Sequence, residues 1–190
     1  MRLRSFILTA PLVLATTALA EGEFAAGSEA ESWGLFGEEK ARFDARVVDV
    51  VCALTGDCPP DCGGGERQMA LIRTTDDVMV LATKNGQPVF SGATHDLAPY
   101  CGQTVEVDGL LVGDAGVTPA LGTKVFQVQR VRAEGADEWQ PAHRFTEAWA
   151  ERNAGVGGDG PWFRRDPAVN RRIETEGHLG LGLEIDRAFI

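Results

Sequence analysis

Residues Cys52–Gly65 read CALTGDCPPDCGGG and hold three of the chain's four cysteines, two adjacent prolines and three adjacent glycines. Proline fixes φ and removes a donor, whereas glycine admits backbone conformations that other residues avoid. A helix or a strand ends at such a stretch. The residues on either side must therefore belong to separate elements, joined by a loop that the cysteines can fasten.

The compartment decides what those cysteines do. Arg2 and Arg4 precede an apolar run, Phe6 to Leu19, and Ala18-Leu19-Ala20 has the small-x-small form of a cleavage site. This is the plan of a secretory signal, and the run is short for a membrane span. Glu21-Gly22-Glu23 follows at once, and no second apolar run of that kind appears. The expected destination is the periplasm, with no membrane insertion after cleavage. The chain carries a net charge of −10, and residues 1–20 contain two arginines and no acid, which leaves −12 on the mature part. Such a charge repels phosphate backbones and anionic lipid, so nucleic acid is not an expected partner. An even cysteine count in an exported chain favours two disulfides among Cys52, Cys58, Cys62 and Cys101, for which three connectivities exist. Pairing Cys52 with Cys58 or Cys62 would pin the loop to the end of the first strand and leave Cys101 the remaining partner.

Hydrophobic spacing places five strands: Phe43 to Leu54, Gln68 to Arg73, Val78 to Thr83, Thr104 to Val112 and Lys124 to Val131. β-branched enrichment favours strand over helix in the first, and Val105, Val107, Gly109 and Leu111 alternate with more polar neighbours in the fourth. Asn85-Gly86 signals a turn, Ser91 to Tyr100 is the place for a short helix, and Gly113 to Gly122 is a loop. The phrase Leu97-x-x-Tyr100-x-Gly102-x-x-Val105-x-Val107-x-Gly109 resembles the passage into the fourth strand of small secreted bacterial OB-fold-like proteins. The resemblance covers roughly Phe43 to Val131. It implies a mainly β fold: a five-stranded OB-like barrel with a short helix between strands three and four. It also implies binding of ions, small molecules or protein partners. The strands that read oligonucleotides in other OB-folds need aromatic residues, and here they carry Arg67 and Arg73 but no aromatic.

The expected organisation is a signal peptide at 1–20, a flexible lead-in at 21–40, the barrel at 41–133 and a helical C-terminal appendage at 134–190. Within the appendage, Phe145 and Trp149 share one face of a helix from Ala142 to Asn153. Asp166-Pro167 caps and opens a second helix that stops at Gly177. Leu179, Leu181, Leu183 and Ile185 alternate as an edge strand or an extended arm would.

Chemistry has few candidates. Cys58-Pro-Pro-Asp-Cys62 resembles the loop of thiol–copper chaperones of the Sco type, which implies copper or zinc handling, or thiol exchange, at Cys58 and Cys62. In that family a helix opens after the pair, whereas Gly63-Gly64-Gly65 follows here. The expected cofactor is none, with copper or zinc as the alternative. His95-Asp96 could orient a base, but no nucleophile motif accompanies it, and it reads as a surface or helix-capping pair. His143 reads as lying on the polar side of its helix and His178 as following the helix stop. Trp162-Phe163-Arg164-Arg165 joins the residue types that dominate binding hot spots. With Tyr100 and the cysteine loop, these four form the expected partner surface. The sequence thus describes an exported, disulfide-stabilised, non-catalytic binding or accessory protein, whose partner is a protein or a small ligand.

Overall fold

The computed structural model describes residues 22–84, 93–113 and 124–189. The expected signal segment, the Asn85-Gly86 turn and most of the Gly113–Gly122 loop lie outside the described residues.

Strand β1 (Glu39–Asp49) turns Ala41, Phe43, Ala45 and Val47 inward, and all four are buried. It pairs antiparallel with β2 (Met69–Arg73) on one edge and with β4 (Thr104–Val112) on the other. Strand β3 (Met79–Thr83) lies against β2, and β5 (Val125–Ala133) against β4. A parallel pairing of β3 with β5, Ala82 opposite Phe126 and Thr83 opposite Gln127, closes the ring. The five-stranded OB-like barrel is therefore present. A two-residue strand, β6 (Gln140–Pro141), adds to β5. Phe126, Met69, Leu71, Val80, Val105, Val107 and Val128 fill the interior, and the Phe43 and Phe126 rings stand 4.8 Å apart. The expected helix between strands three and four is α2 (Ala93–Leu97) followed by a single tight turn, Ala98–Tyr100. Ala93 and Leu97 are fully buried and belong to the same core.

Two segments differ in kind from the spacing argument. The first strand does not reach Leu54. Asp49 accepts a hydrogen bond from Cys52 N and caps helix α1 (Val50–Thr55), which ends at Gly56 in the left-handed conformation. The cap and the glycine stop override the strand preference of Val50 and Val51. The tail is not an extended arm either, because Leu183–Phe189 is helical. Its Asp186 carboxylate turns back to accept from His178 N and Leu179 N, so a helix is what places it there.

Gly109 shows why the barrel needs glycine at the end of the Val-x-Val-x-Gly phrase. β4 and β5 slip register between Asp108 and Gly109, forming a bulge. A Cβ on Gly109 would lie 2.1 Å from the Gln127 carbonyl oxygen and 3.0 Å from Phe126 Cζ. Gly109→Ala is expected to destabilise the barrel by about 1–3 kcal/mol, because backbone has to move; urea unfolding followed by circular dichroism measures it.

The appendage contains helices α3 (Arg144–Arg152), α4 (Trp162–Arg165), α5 (Pro167–Glu176) and α6 (Leu183–Phe189). Asp166 caps α5 as its position before Pro167 predicts, accepting from Ala168 N and Val169 N.

Candidate functional site

A cleft of about 460 Å³ opens where the N-terminal arm, the outer edge of the barrel and the appendage meet. Each wall is held by its own buried or aromatic anchor.

The arm is the least obvious wall. Residues 22–38 belong to the segment read from the sequence as a flexible lead-in. Phe24 O accepts from Arg42 N of β1, and from Ser28 onward the arm lies against β4 and β5. Asp108 is fully buried and accepts from Ser28 Oγ at 2.5 Å and Glu29 N at 2.9 Å. It also accepts from Arg130 Nε at 2.9 Å and Arg130 Nη2 at 2.6 Å. One carboxylate thus fastens both the arm and the neighbouring strand. Gln129 then mimics a strand partner: its carboxamide accepts from Glu31 N at 2.8 Å and donates to Glu31 O at 2.7 Å. Between these clamps Ala30 is buried against Leu110, Val112 and Val125. Further along, Glu38 gathers Ser32 Oγ, Leu35 N and Trp33 N. Those hydrogen bonds, that from Ser32 foremost, hold its carboxyl below the usual range. Trp33 follows the clamped segment and lines the cleft.

The floor is Val128–Arg130 of β5, with Pro141, Ala142 and Lys84. Lys84 is largely buried, and its ammonium meets three oxygens: Val128 O at 3.2 Å, Ala142 O and Asp96 Oδ2 at 3.3 Å. Burial pushes Lys84 below the usual lysine value, and the attraction of Asp96 offsets this only in part. Asp96 Oδ1 accepts from Arg144 N at 2.9 Å, so the same carboxylate caps α3 across the tertiary structure. The Lys84–Asp96 pair therefore joins β3, α2, β5 and α3 at one point.

The third wall is aromatic. Phe145 of α3 meets Trp162 of α4 edge-on at 4.9 Å, and Trp162 meets Phe163 at 6.0 Å. His95 stands against Phe145 at 5.2 Å. Trp149 is buried beside them and donates from Nε1 to Asp166 Oδ2 at 2.6 Å, with the Arg165 guanidinium 5.1 Å from its ring centre. That hydrogen bond first, then those from the α5 amides, holds the Asp166 carboxyl low. His143 sits at the start of α3 and lines the cleft, whereas His178 packs at the turn held by Asp186.

The expected partner surface is thus divided. Trp162 and Phe163 line the cleft; Arg165 lies on Trp149, and the Arg164 carbonyl oxygen accepts from Asn170 Nδ2. Tyr100 packs against the barrel core together with Cys101. The cysteines form two bridges, Cys52–Cys58 and Cys62–Cys101. Cys58 and Cys62 therefore belong to different disulfides and are not a C-x3-C thiol pair. Arg67, the cation beside the loop, is engaged by Asp57 at 2.9 Å and Asp49 at 3.5 Å. Among the described residues, no group of three or more His, Cys, Asp and Glu side chains is arranged to hold a metal ion. His95-Asp96 is no surface pair, since Asp96 is buried, but it does cap a helix.

Glu29, Glu31, Trp33, Lys84, Gln129 and Arg130 complete the cleft, and none of them stood out as a site residue in the sequence. Only Trp33, a large aromatic in a polar lead-in, carried a usable signal. No family model, curated protein or solved structure matches the chain.

Proposed function

We propose that the protein is an exported, non-catalytic binding protein that takes a small ligand, or a short segment of a protein partner, in the cleft between arm, barrel and appendage. One observation carries this reading: a concave site of about 460 Å³ with aromatic walls, built from segments that are each anchored separately. Pre-formed clefts of that size, mostly apolar with a few fixed polar groups, are the usual form of a ligand site. Export to the periplasm is supported by the two disulfides and by the signal-like first twenty residues. No helix among the described residues is long and apolar enough to cross a membrane.

The test is a screen of small cationic, neutral and anionic compounds by isothermal titration and tryptophan fluorescence. A saturable ligand is expected, with Trp162→Ala weakening it by about tenfold or more. Trp162 also supports the aromatic cluster, so Phe163→Ala, at a ring 40% exposed, provides the second variant; a several-fold loss is expected there. Binding that survives both substitutions overturns the site, and the absence of any ligand overturns the reading.

A further inference from the structure

The charges around the cleft narrow the class of ligand. Both of its fixed cations are already matched by buried carboxylates. Lys84 donates to the Val128 and Ala142 carbonyl oxygens, and Asp96, which is 1% exposed and 3.3 Å away, balances its charge. Arg130 directs Nε and Nη2 to Asp108, which is fully buried, and Nη1 to Glu29 at 2.7 Å. Pairing Lys84 with Asp96 and Arg130 with Asp108 leaves two carboxylates in surplus, Glu29 and Glu31. Glu31 appears in no ion pair among the described residues. Its backbone is clamped by Gln129 on both sides, so its carboxylate starts from a fixed point at the rim.

Aromatic residues line the same cleft as that surplus. Trp33 is 45% exposed and follows Glu31 by two residues on the arm, and Trp162 and Phe163 line the cleft from the appendage. The negative face of an aromatic ring attracts a cation and repels an anion. The protein already uses this contact nearby, where the Arg130 and Arg132 guanidinium groups each lie 4.6 Å from the Trp139 ring centre. The acidic chain as a whole adds a field of the same sign.

Resting on the binding reading above, we infer that the cleft takes a small organic cation, an ammonium or guanidinium head on an apolar body, held between the Glu29–Glu31 rim and the Trp33, Trp162 and Phe163 rings. The arm supplies Glu29, Glu31 and Trp33, so the site is complete only while the arm lies on the barrel.

Three isosteric probes test this on the full mature chain: benzyltrimethylammonium, its neutral carbon analogue neopentylbenzene, and the anion benzylsulfonate. Isothermal titration is expected to show the cation binding about tenfold or more tighter than either of the others. Glu31→Gln, which removes charge without touching a structural pair, should weaken the cation about threefold and leave the neutral probe unchanged. Raising the salt concentration should weaken the cation alone. Tighter binding of the neutral or anionic probe, or a Glu31→Gln variant that binds the cation as well as the parent, overturns the cation while the binding cleft stands. If none of the three binds, the cation assignment falls together with the cleft.

Discussion

Lys84→Met is expected to destabilise the protein by about 3–5 kcal/mol, as breaking a buried ion pair from one side does. The substitution keeps the apolar stem but removes the ammonium. Asp96 is then left as an uncompensated carboxylate that is 1% exposed, with Arg144 N as its one hydrogen-bond donor. The Ala142 carbonyl oxygen loses the Lys84 donor as well, and Val128 O keeps only that from Gln127 Nε2 among side chains. Adding Asp96→Asn should recover about half of the loss, because the amide oxygen still accepts from Arg144 N and no charge remains buried. Urea unfolding of the parent, the two single variants and the double variant gives the coupling directly. A cost below about 1 kcal/mol for Lys84→Met would show that the charge reaches water.

The same pair predicts an alkaline pH dependence. Burial lowers Lys84 in the folded chain relative to the unfolded one. Between the two values the unfolded chain binds more protons, so stability rises with pH across that window and the cost of charging Lys84 is fully present below it. The neutral amine still donates to Val128 O and Ala142 O, which methionine cannot do, so deprotonation and Lys84→Met act in opposite directions. Lys84→Met should abolish this rise. Because Asp96 also caps α3, which carries Phe145, the single variant should weaken ligand binding in the cleft along with stability.

The barrel was legible because its signals are local. Alternation over Thr104–Val112 places Val105 and Val107 inside, and the glycine that ends the phrase sits at the bulge. Asp49 and Gly56 also carried helix signals, but the run of valines before Cys52 resembles a strand more strongly than a six-residue helix resembles anything. The leucine alternation after Gly177 misled for the related reason that Asp186, not the leucines, decides the tail: it is 5% exposed, while Leu181 and Ile185 are more than half exposed.

The site was only half legible. Trp162 and Phe163 stood out because aromatic residues beside arginines, away from any strand, invite a binding reading. Asp108 did not, and Asp96 was read only as part of a surface or helix-capping pair, because charged residues at polar positions normally face water. What buries Asp108 is the arm at Ser28 and Glu29, some eighty residues earlier in the chain. Glu31 acquires its place in the same way through Gln129, 98 residues away. No periodicity or short motif encodes covering of that kind. The number of disulfides likewise followed from the even cysteine count and the expected compartment, whereas the pairing needed the distance between the loop and Cys101.

Removing the Cys62–Cys101 bridge by alanine at both positions is expected to cost about 4 kcal/mol, against about 2 kcal/mol for Cys52–Cys58. The bridges span 39 and 6 residues respectively, and closing the longer loop removes more freedom from the unfolded chain. Their surroundings widen the difference. Cys62 is buried within the barrel core cluster, whereas Cys58 is exposed. Cys62 also belongs to four consecutive residues, Asp61 to Gly64, in the left-handed conformation, with φ of 50° and 51° at Asp61 and Cys62. Glycine adopts that conformation freely; other residues do so at about 1 kcal/mol each. The long bridge therefore holds a turn that its own backbone disfavours. Asp61→Gly should raise the stability of the bridged protein by a few tenths to about 1 kcal/mol, and the gain should shrink once the bridge is gone and the turn relaxes. Unfolding curves for the two double-alanine variants, each with and without Asp61→Gly, measure both effects. Equal losses for the two bridges would overturn the dependence on loop length; the larger loss at Cys62–Cys101 assigns the stabilisation to tying the β1–β2 connection to the start of β4.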